Sequence, residues 1–367
     1  MNRRRANLPD FPWDSLKRYG DRARAHPDGL VDLSIGTPVD PTPAVIQQAL
    51  AAAADAPGYP TTAGTPPLRA AISDWLSRRH GVTGLDPDAV LPTIGSKELV
   101  GLLPTLLGVR PGELVVIPEL AYPTYEVGVL LAGGTTVRAD GLAALGPQRP
   151  ALVWVNSPAN PTGRVLPAEH LAKVVAWARE RGTVVVSDEC YLDLGWDEQP
   201  VSVLHPEVCG GSHEGLLAVH SLSKRSNLAG YRAAFVAGDP RLIGQLLEVR
   251  KHAGLIVPWP VQQAMIAAYG NDEHVVEQRA RYAARREQLR AALLSAGFTV
   301  EHSQAGLYLW ATRGQDCWDT VAHLADLGIL AAPGEFYGPS GKAHVRVALT
   351  ATDERVAAAA ARLTTTS

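Results

Sequence analysis

A chain of 367 residues is long enough for roughly two domains, and its 46% hydrophobic and 19% charged residues fit a globular protein. A net charge of −3 argues against a nucleic-acid or membrane-surface protein, and three scattered cysteines (Cys190, Cys209, Cys317) argue against a disulfide framework or zinc site. No apolar run reaches the length of a membrane span, and Met1–Arg5 leads into Leu8-Pro9-Asp10 rather than an apolar core, so the expected location is the cytoplasm.

In chain order, residues 1–30 are polar, carry Phe11 and Trp13 among prolines, and read as an N-terminal arm with a short helix near 15–25. Val31–Ile35 reads as a strand closed by the turn Gly36-Thr37-Pro38. Pro43 suits the first turn of an alanine-rich helix to Ala54. A rigid loop over 59–67 precedes a helix over 68–80, where Leu68, Ile72, Trp75 and Leu76 share a face. Leu91–Ile94 then feeds Gly95-Ser96-Lys97-Glu98 and an apolar helix to Leu107. A glycine–serine pair opening a helix offers free backbone N–H groups and a positive dipole end to an anion, or is an ordinary N-cap by Ser96.

From there strands and helices alternate. Strands are expected at 114–117, 151–155, 183–186, 216–219 and 233–237, with helices from Thr124 to Gly133 and from Ala168 to Arg181. Continuous apolar strands separated by helices predict an α/β fold with a mostly parallel sheet covered on both faces, which takes ligands at the carboxyl ends of its strands. Helices dominate 241–297, broken at Pro258-Trp259-Pro260, and short strands at 307–311 and 344–349 then mix with helices at 318–327 and 353–363. The division read from this is an arm and part of a small domain over 1–35, a large domain over 36–270 and a small α+β domain over 271–367.

Lys224 comes just after the apolar run Leu216–Val219. A lysine at the end of a buried strand is costly unless neutralised or used, and one use is a Schiff base with a carbonyl cofactor; otherwise it is a surface loop lysine. Asn160 could start a turn before Pro161, Asp188 could cap the turn after its strand, and Arg232 could be a structural ion-pair partner. Taken together with the Gly95-Ser96 helix start, they bring an amine, a carboxylate, an amide and an anion cradle to strand ends. That set suits one cofactor bearing an aldehyde, a pyridine nitrogen, a phenolic oxygen and a phosphate.

The stretch Ser221–Ala234, S-L-S-K-R-S-N-L-A-G-Y-R-A-A, resembles the lysine signature of the fold-type I, class I aminotransferases. Asn160-Pro161-Thr162-Gly163, Ser187-Asp188-Glu189-Cys190-Tyr191 and Tyr59-Pro60 with Gly64 and Leu68-Arg69 resemble the same family in its order, so the likeness spans essentially the whole chain. The resemblance implies a large domain with a mostly parallel seven-stranded sheet between helices, plus a smaller α+β domain. It implies pyridoxal 5′-phosphate held as a Schiff base on Lys224, with Asp188 at the pyridine nitrogen, Asn160 and Tyr191 at the phenolic oxygen, and Tyr122 stacked on the ring. Gly95, Ser96, Lys97, Ser221 and Arg232 would surround the phosphate, and Tyr59 would reach the phosphate of a neighbouring subunit, implying a homodimer. Arg346, with Asn160 and the backbone near Gly36, would take the substrate α-carboxylate; no metal is implied. The implied reaction is ping-pong transamination, with the freed Lys224 amine as base and acid.

These motifs leave the distal end of the substrate open. Asn7–Asp14, Asp32–Asp40, Gly95–Val100 and Pro118–Tyr125 resemble the actinobacterial N-succinyldiaminopimelate aminotransferases of lysine biosynthesis. That likeness implies glutamate as donor and N-succinyl-2-amino-6-oxopimelate as acceptor, with the Lys97 side chain as a candidate partner for an acidic distal group. An aspartate- or alanine-type aminotransferase, or a carbon–sulfur β-lyase, would share every cofactor residue. A regulator that senses the cofactor would need an added DNA-binding module, and a nicotinamide-dependent dehydrogenase a G-x-G-x-x-G after a strand; neither is found in the sequence.

Overall fold

A computed structural model describes residues 8–365; the basic stretch Met1–Arg5 and Asn7 lie outside it. After a two-residue strand, β1 (Val31–Asp32), seven strands form the main sheet, most of them rich in valine, leucine and alanine. They are β2 (Val90–Ile94), β3 (Leu114–Ile117), β4 (Thr135–Arg138), β5 (Leu152–Asn156), β6 (Val184–Asp188), β7 (Leu216–Ser221) and β8 (Ala233–Gly238), in spatial order β2-β8-β7-β6-β5-β3-β4. All neighbours are parallel except around β8, which runs against both β2 and β7. Strands without polar alternation need cover on both faces, and they have it. Trp75, Val174 and Phe235 belong to one apolar layer, while Leu99, Leu103, Tyr125 and Val129 belong to the other.

A smaller domain carries β9 (Thr299–Glu301), β10 (Tyr308–Thr312), β12 (Ala332–Pro333) and β13 (His344–Ala348), joined as β12-β13-β10-β9, while β11 (Ile329–Leu330) pairs in parallel with β1. The helix Glu273–Ser295 packs Tyr282, Leu289 and Leu293 into the core of this domain.

The strand expected over Val31–Ile35 shortens to Val31–Asp32. Beyond it the backbone carbonyls serve side chains instead: Ser34 O accepts from Arg346 and Ile35 O from Thr350 Oγ1. The edge strand β4, T-T-V-R, has half-buried positions and no apolar run, which is why its pattern carries no strand signal. Among the described residues no helix is long and apolar enough to cross a membrane.

The one-turn helix Leu222–Arg225 continues from β7, and a buried ion pair anchors it. Arg225 Nε lies 2.6 Å from Asp193 Oδ2, with both side chains 1% exposed. The Arg225 guanidinium donates to Ala268 O and lies over the Trp75 and Tyr269 rings. Burial alone would raise the Asp193 carboxyl, but Arg225, His80 and His220 outweigh it and hold the group well below the usual carboxylate range. The pair ties the turn that bears Lys224 to the loop after β6. Removing one partner leaves the other charge buried, whereas an apolar pair of similar volume does not. Asp193→Asn is therefore expected to cost about 3–5 kcal/mol in equilibrium urea unfolding. The double variant Asp193→Leu/Arg225→Met should lose clearly less than the single one.

Candidate active site

Between the two sheets lies a cavity of about 330 Å³, at the carboxyl ends of β5, β6 and β7. Its size is that of small-molecule sites. Parallel register sets its floor: Asn156 pairs with Asp188, and Asp188 with Val219. Polar residues at the ends of apolar strands thus emerge side by side. The cavity gathers Gly36, Ser96, Lys97, Tyr122, Asn160, Asp188, Tyr191, Ser221, Lys224, Arg232 and Arg346, all singled out from the sequence. Gly95 lies just behind it, under Arg232. Tyr59 does not line it; that side chain is 100% exposed.

Lys224 points across the cavity and donates to the carbonyl of Gly36. Burial, with Arg346 and Arg232 nearby, lowers its amine below the ordinary lysine value, while Tyr308 and Cys190 pull the other way. Asp188 is 8% exposed and accepts from Tyr125 Oη at 2.7 Å and from the Cys190 N–H at 3.2 Å. Burial raises its carboxyl and these hydrogen bonds oppose the rise. A cationic partner in the cavity would lower it further.

The anion cradle is built from absent side chains. The helix Ser96–Leu106 has Gly95, not Ser96, as its N-cap, and no side chain caps it. Its first N–H groups therefore face the cavity side of the turn without an intramolecular acceptor from the cap. Gly95 has φ +81°, and a Cβ there would sit 2.1 Å from Arg232 Nη2, so only glycine lets the guanidinium lie against this turn. Arg232 is itself left-handed (φ +56°) and donates to Ala229 O at 2.7 Å. Ser221 Oγ lies 2.9 Å from Ser223 Oγ.

Arg346 reaches the cavity from β13. It is 2% exposed, donates to Asn160 Oδ1 at 2.9 Å and to Ser34 O at 2.7 Å, and lies 3.9 Å above the Tyr308 ring. Its Nε has no hydrogen-bond partner, and among the described residues no carboxylate pairs with it. The carbonyl it uses is that of Ser34, whereas Gly36 O serves Lys224. Four cations, Lys97, Lys224, Arg232 and Arg346, thus line a cavity whose one acidic side chain is Asp188. Buried positive charge without counter-charge is expensive, so the cavity is built for anionic groups at two places, the cradle and Arg346. Among the described residues no His, Cys, Asp and Glu cluster could hold a metal ion.

Sequence reasoning missed several residues of this site. Tyr125 orients Asp188 and stacks on Trp154 at 4.8 Å; its only signal was its place in A-Y-P-T-Y. Asn156 donates to Asp188 O and accepts from the Asn160 N–H, a role foreshadowed by an asparagine ending the apolar run V-W-V-N. Tyr308, whose hydroxyl is 3.1 Å from that of Tyr191, sits in the strand L-Y-L-W and gave no sign. Phe11 and Trp13 of the arm complete the mouth, where Lys97 Nζ lies 5.3 Å above the Phe11 ring and 6.0 Å above that of Tyr122.

Comparison with known proteins shows which family the chain resembles over its length. Residues 28–363 match the family described as aminotransferase class I and II. The chain is 65% identical to a probable aminotransferase of Mycobacterium tuberculosis, over 98% of this chain and 86% of that one. It is 62% identical to the 4-dedimethylamino-4-oxo-anhydrotetracycline transaminase OxyQ of Streptomyces rimosus, over 97% and 99%. A solved structure, a probable N-succinyldiaminopimelate aminotransferase from Thermus thermophilus, superposes with a TM-score of 0.87 at 30% identity, covering 97% of this chain and all of that one.

Next to Asp188, Glu189 is 1% exposed and accepts from the Val203 N–H at 2.7 Å. Burial pushes its carboxyl up from 4.5 to about 7. A raised carboxyl favours folding below the unfolded value, and that contribution is lost as pH rises through the folded one. Between pH 4.5 and 7 the wild type should therefore lose stability relative to Glu189→Gln. The shift is on the order of 3 kcal/mol across the window, read from urea midpoints at a series of pH values.

Proposed function

Since the chain belongs to the class I and II aminotransferases, whose cofactor is pyridoxal 5′-phosphate, we propose that it transfers an amino group from glutamate to N-succinyl-2-amino-6-oxopimelate. The observation that carries this reading is the pair of cationic positions in the cavity, Arg346 buried without a carboxylate and Lys97 at the mouth. An acceptor with an α-carboxylate and a distal acid would meet both.

The residues present fit the cofactor. The uncapped helix start at Gly95, Ser96 and Lys97, with Ser221 and Arg232, suits a phosphate. Asp188 suits a protonated pyridine nitrogen, since an adjacent cation offsets the burial that raises its carboxyl. Tyr191 and Asn160 suit a phenolic oxygen, and Tyr122 the ring face. When bound, the cofactor supplies a carbonyl for the amino group and a sink for the electrons left on Cα.

The chain's own part is to hold and to move a proton. Arg346 fixes the α-carboxylate through a bidentate pair, with Asn160 Oδ1 and the Tyr308 ring keeping the guanidinium in one plane. Lys224 Nζ, lowered by burial below the ordinary lysine value, is the amine placed to take the Cα proton and to give it back. Tyr125 and Asn156 keep Asp188 facing the site through its carboxylate and carbonyl. Tyr59 acts in the site of a second copy, so the active form is a homodimer; Ile35, Val39, Val45 and Trp259 are further exposed apolar side chains available to such an interface.

A second acceptor class is favoured by the aromatic mouth of Phe11, Trp13 and Tyr122, which suits a planar polycyclic ketone of the kind named for the Streptomyces rimosus relative. Glutamate would use Arg346 under either reading, but a ring ketone would not. Arg346→Gln should therefore lower kcat/KM by about 10- to 100-fold in both half-reactions with the oxopimelate acceptor. Lys97→Ala should raise the KM of that acceptor several-fold and leave glutamate less affected. A panel of acceptors in glutamate-dependent single-turnover assays separates the readings. Turnover of the polycyclic ketone alone, with an acceptor half-reaction indifferent to Arg346→Gln, would reject the diaminopimelate assignment.

A further inference from the structure

A second cavity, of about 160 Å³, lies away from the cofactor cleft, between β3, β5 and the helix Ala168–Arg181. Its floor is apolar: Val116, Leu145, Val153 and Val174, each less than 5% exposed. An apolar cavity of about 150 Å³ is known to stay dry and to take a benzene ring, so this one has room for a single small ring or a branched aliphatic body.

The rim differs from the floor. Arg164, His170 and His302 stand on it with Asp140. Asp140 is already engaged, because its Oδ1 accepts from the Glu119 N–H at 2.8 Å. Arg164 is exposed and bonds through its backbone, donating from N to Thr162 Oγ1 and accepting at O from Ala159. Its guanidinium has no ion-pair partner among the described residues. Burial first, then Arg164 and Lys173, hold the His170 imidazole below its ordinary value, against the pull of Asp140. The rim therefore offers one guanidinium without an ion-pair partner, that of Arg164, beside the His170 imidazole.

The cavity also shares a wall with the cleft. Asn156 borders both. Its Nδ2 donates to Asp188 O at 2.9 Å and to Pro158 O at 3.1 Å, and its Oδ1 accepts from the Asn160 N–H at 2.8 Å. We propose that this cavity is a second ligand site for a small aromatic or branched aliphatic carboxylate, with its apolar body on the valine floor and its carboxylate at Arg164, coupled to the cleft through Asn156. A ligand that presses on this side chain acts on the residue that fixes both Asp188 and Asn160, which is how two sites separated by one side chain come to share free energy.

The test uses 4-fluorobenzoate and holoenzyme carrying Arg346→Gln, which removes the carboxylate partner in the cleft. Fluorine NMR should show saturable binding. Adding Val174→Phe, which fills the cavity, should abolish it, and adding Arg164→Ala should weaken it about fivefold or more while leaving neutral fluorobenzene unchanged. Arg164 is on the surface, so its result stands even if the phenylalanine disturbs the core. Bound 4-fluorobenzoate should also change the visible circular dichroism of the cofactor, and not do so with Val174→Phe. No saturable binding, or binding indifferent to both added substitutions, would overturn the site; an unchanged dichroism band at saturation would overturn the coupling.

Discussion

Asn156, Asp188 and Val219 stand side by side on three adjacent parallel strands, and the chemistry of the protein hangs on that register. Each strand is apolar until its last residue or two, so burial on both faces sets how far it runs, and the polar group that ends it is delivered to one rim. A slip of one residue in β6 would turn Asp188 to the other face and bring Glu189, whose carboxyl burial already pushes up to about 7, into its place. Side-chain contacts pin the loops beyond the strands as well. Arg225 and Asp193 pin the lysine turn, and Asn156 pins the Asn160 loop.

Against this rigid floor the smaller domain supplies Tyr308 and Arg346, and Arg346 adds a fourth cation to the cavity. Asp188 alone does not balance Lys97, Lys224, Arg232 and Arg346. The imbalance explains several features at once. It adds to the burial that lowers the Lys224 amine, it leaves Arg346 without a carboxylate and its Nε without a partner, and it gives an uncapped helix start a guanidinium rather than a carboxylate as neighbour. A phosphate and a carboxylate are the charges such a cavity lacks, and an amino acid bound beside pyridoxal 5′-phosphate brings both.

Much of this was legible in the residue order. The long apolar strands and the helix Ala168–Arg181 arise from unbroken patterning, and the strand-end positions of Asn160, Asp188 and Lys224 from where the runs stop. The short elements were not legible. β4, β9, β11 and β12 are two to four residues each, too brief or too polar for a period to show. In the site, Tyr308 and Tyr125 escaped notice because a buried tyrosine looks the same whether its hydroxyl serves the core or a cavity. Ser34 escaped because a backbone carbonyl leaves no mark on sequence. The roles of Gly36 and Tyr59 rest on resemblance: Gly36 borders the cavity through its carbonyl, and Tyr59 lies outside it.

The central claim is that Lys224 is the amine that carries the cofactor. Purified protein loaded with pyridoxal 5′-phosphate, reduced with borohydride and mapped by peptide mass spectrometry, tests it most directly. The account predicts a visible absorption band that disappears on reduction, with the cofactor's mass fixed on the peptide containing Lys224 and absent from Lys224→Ala. Modification confined to exposed lysines such as Lys97, or a protein that stays colourless and unlabelled at Lys224, would contradict it.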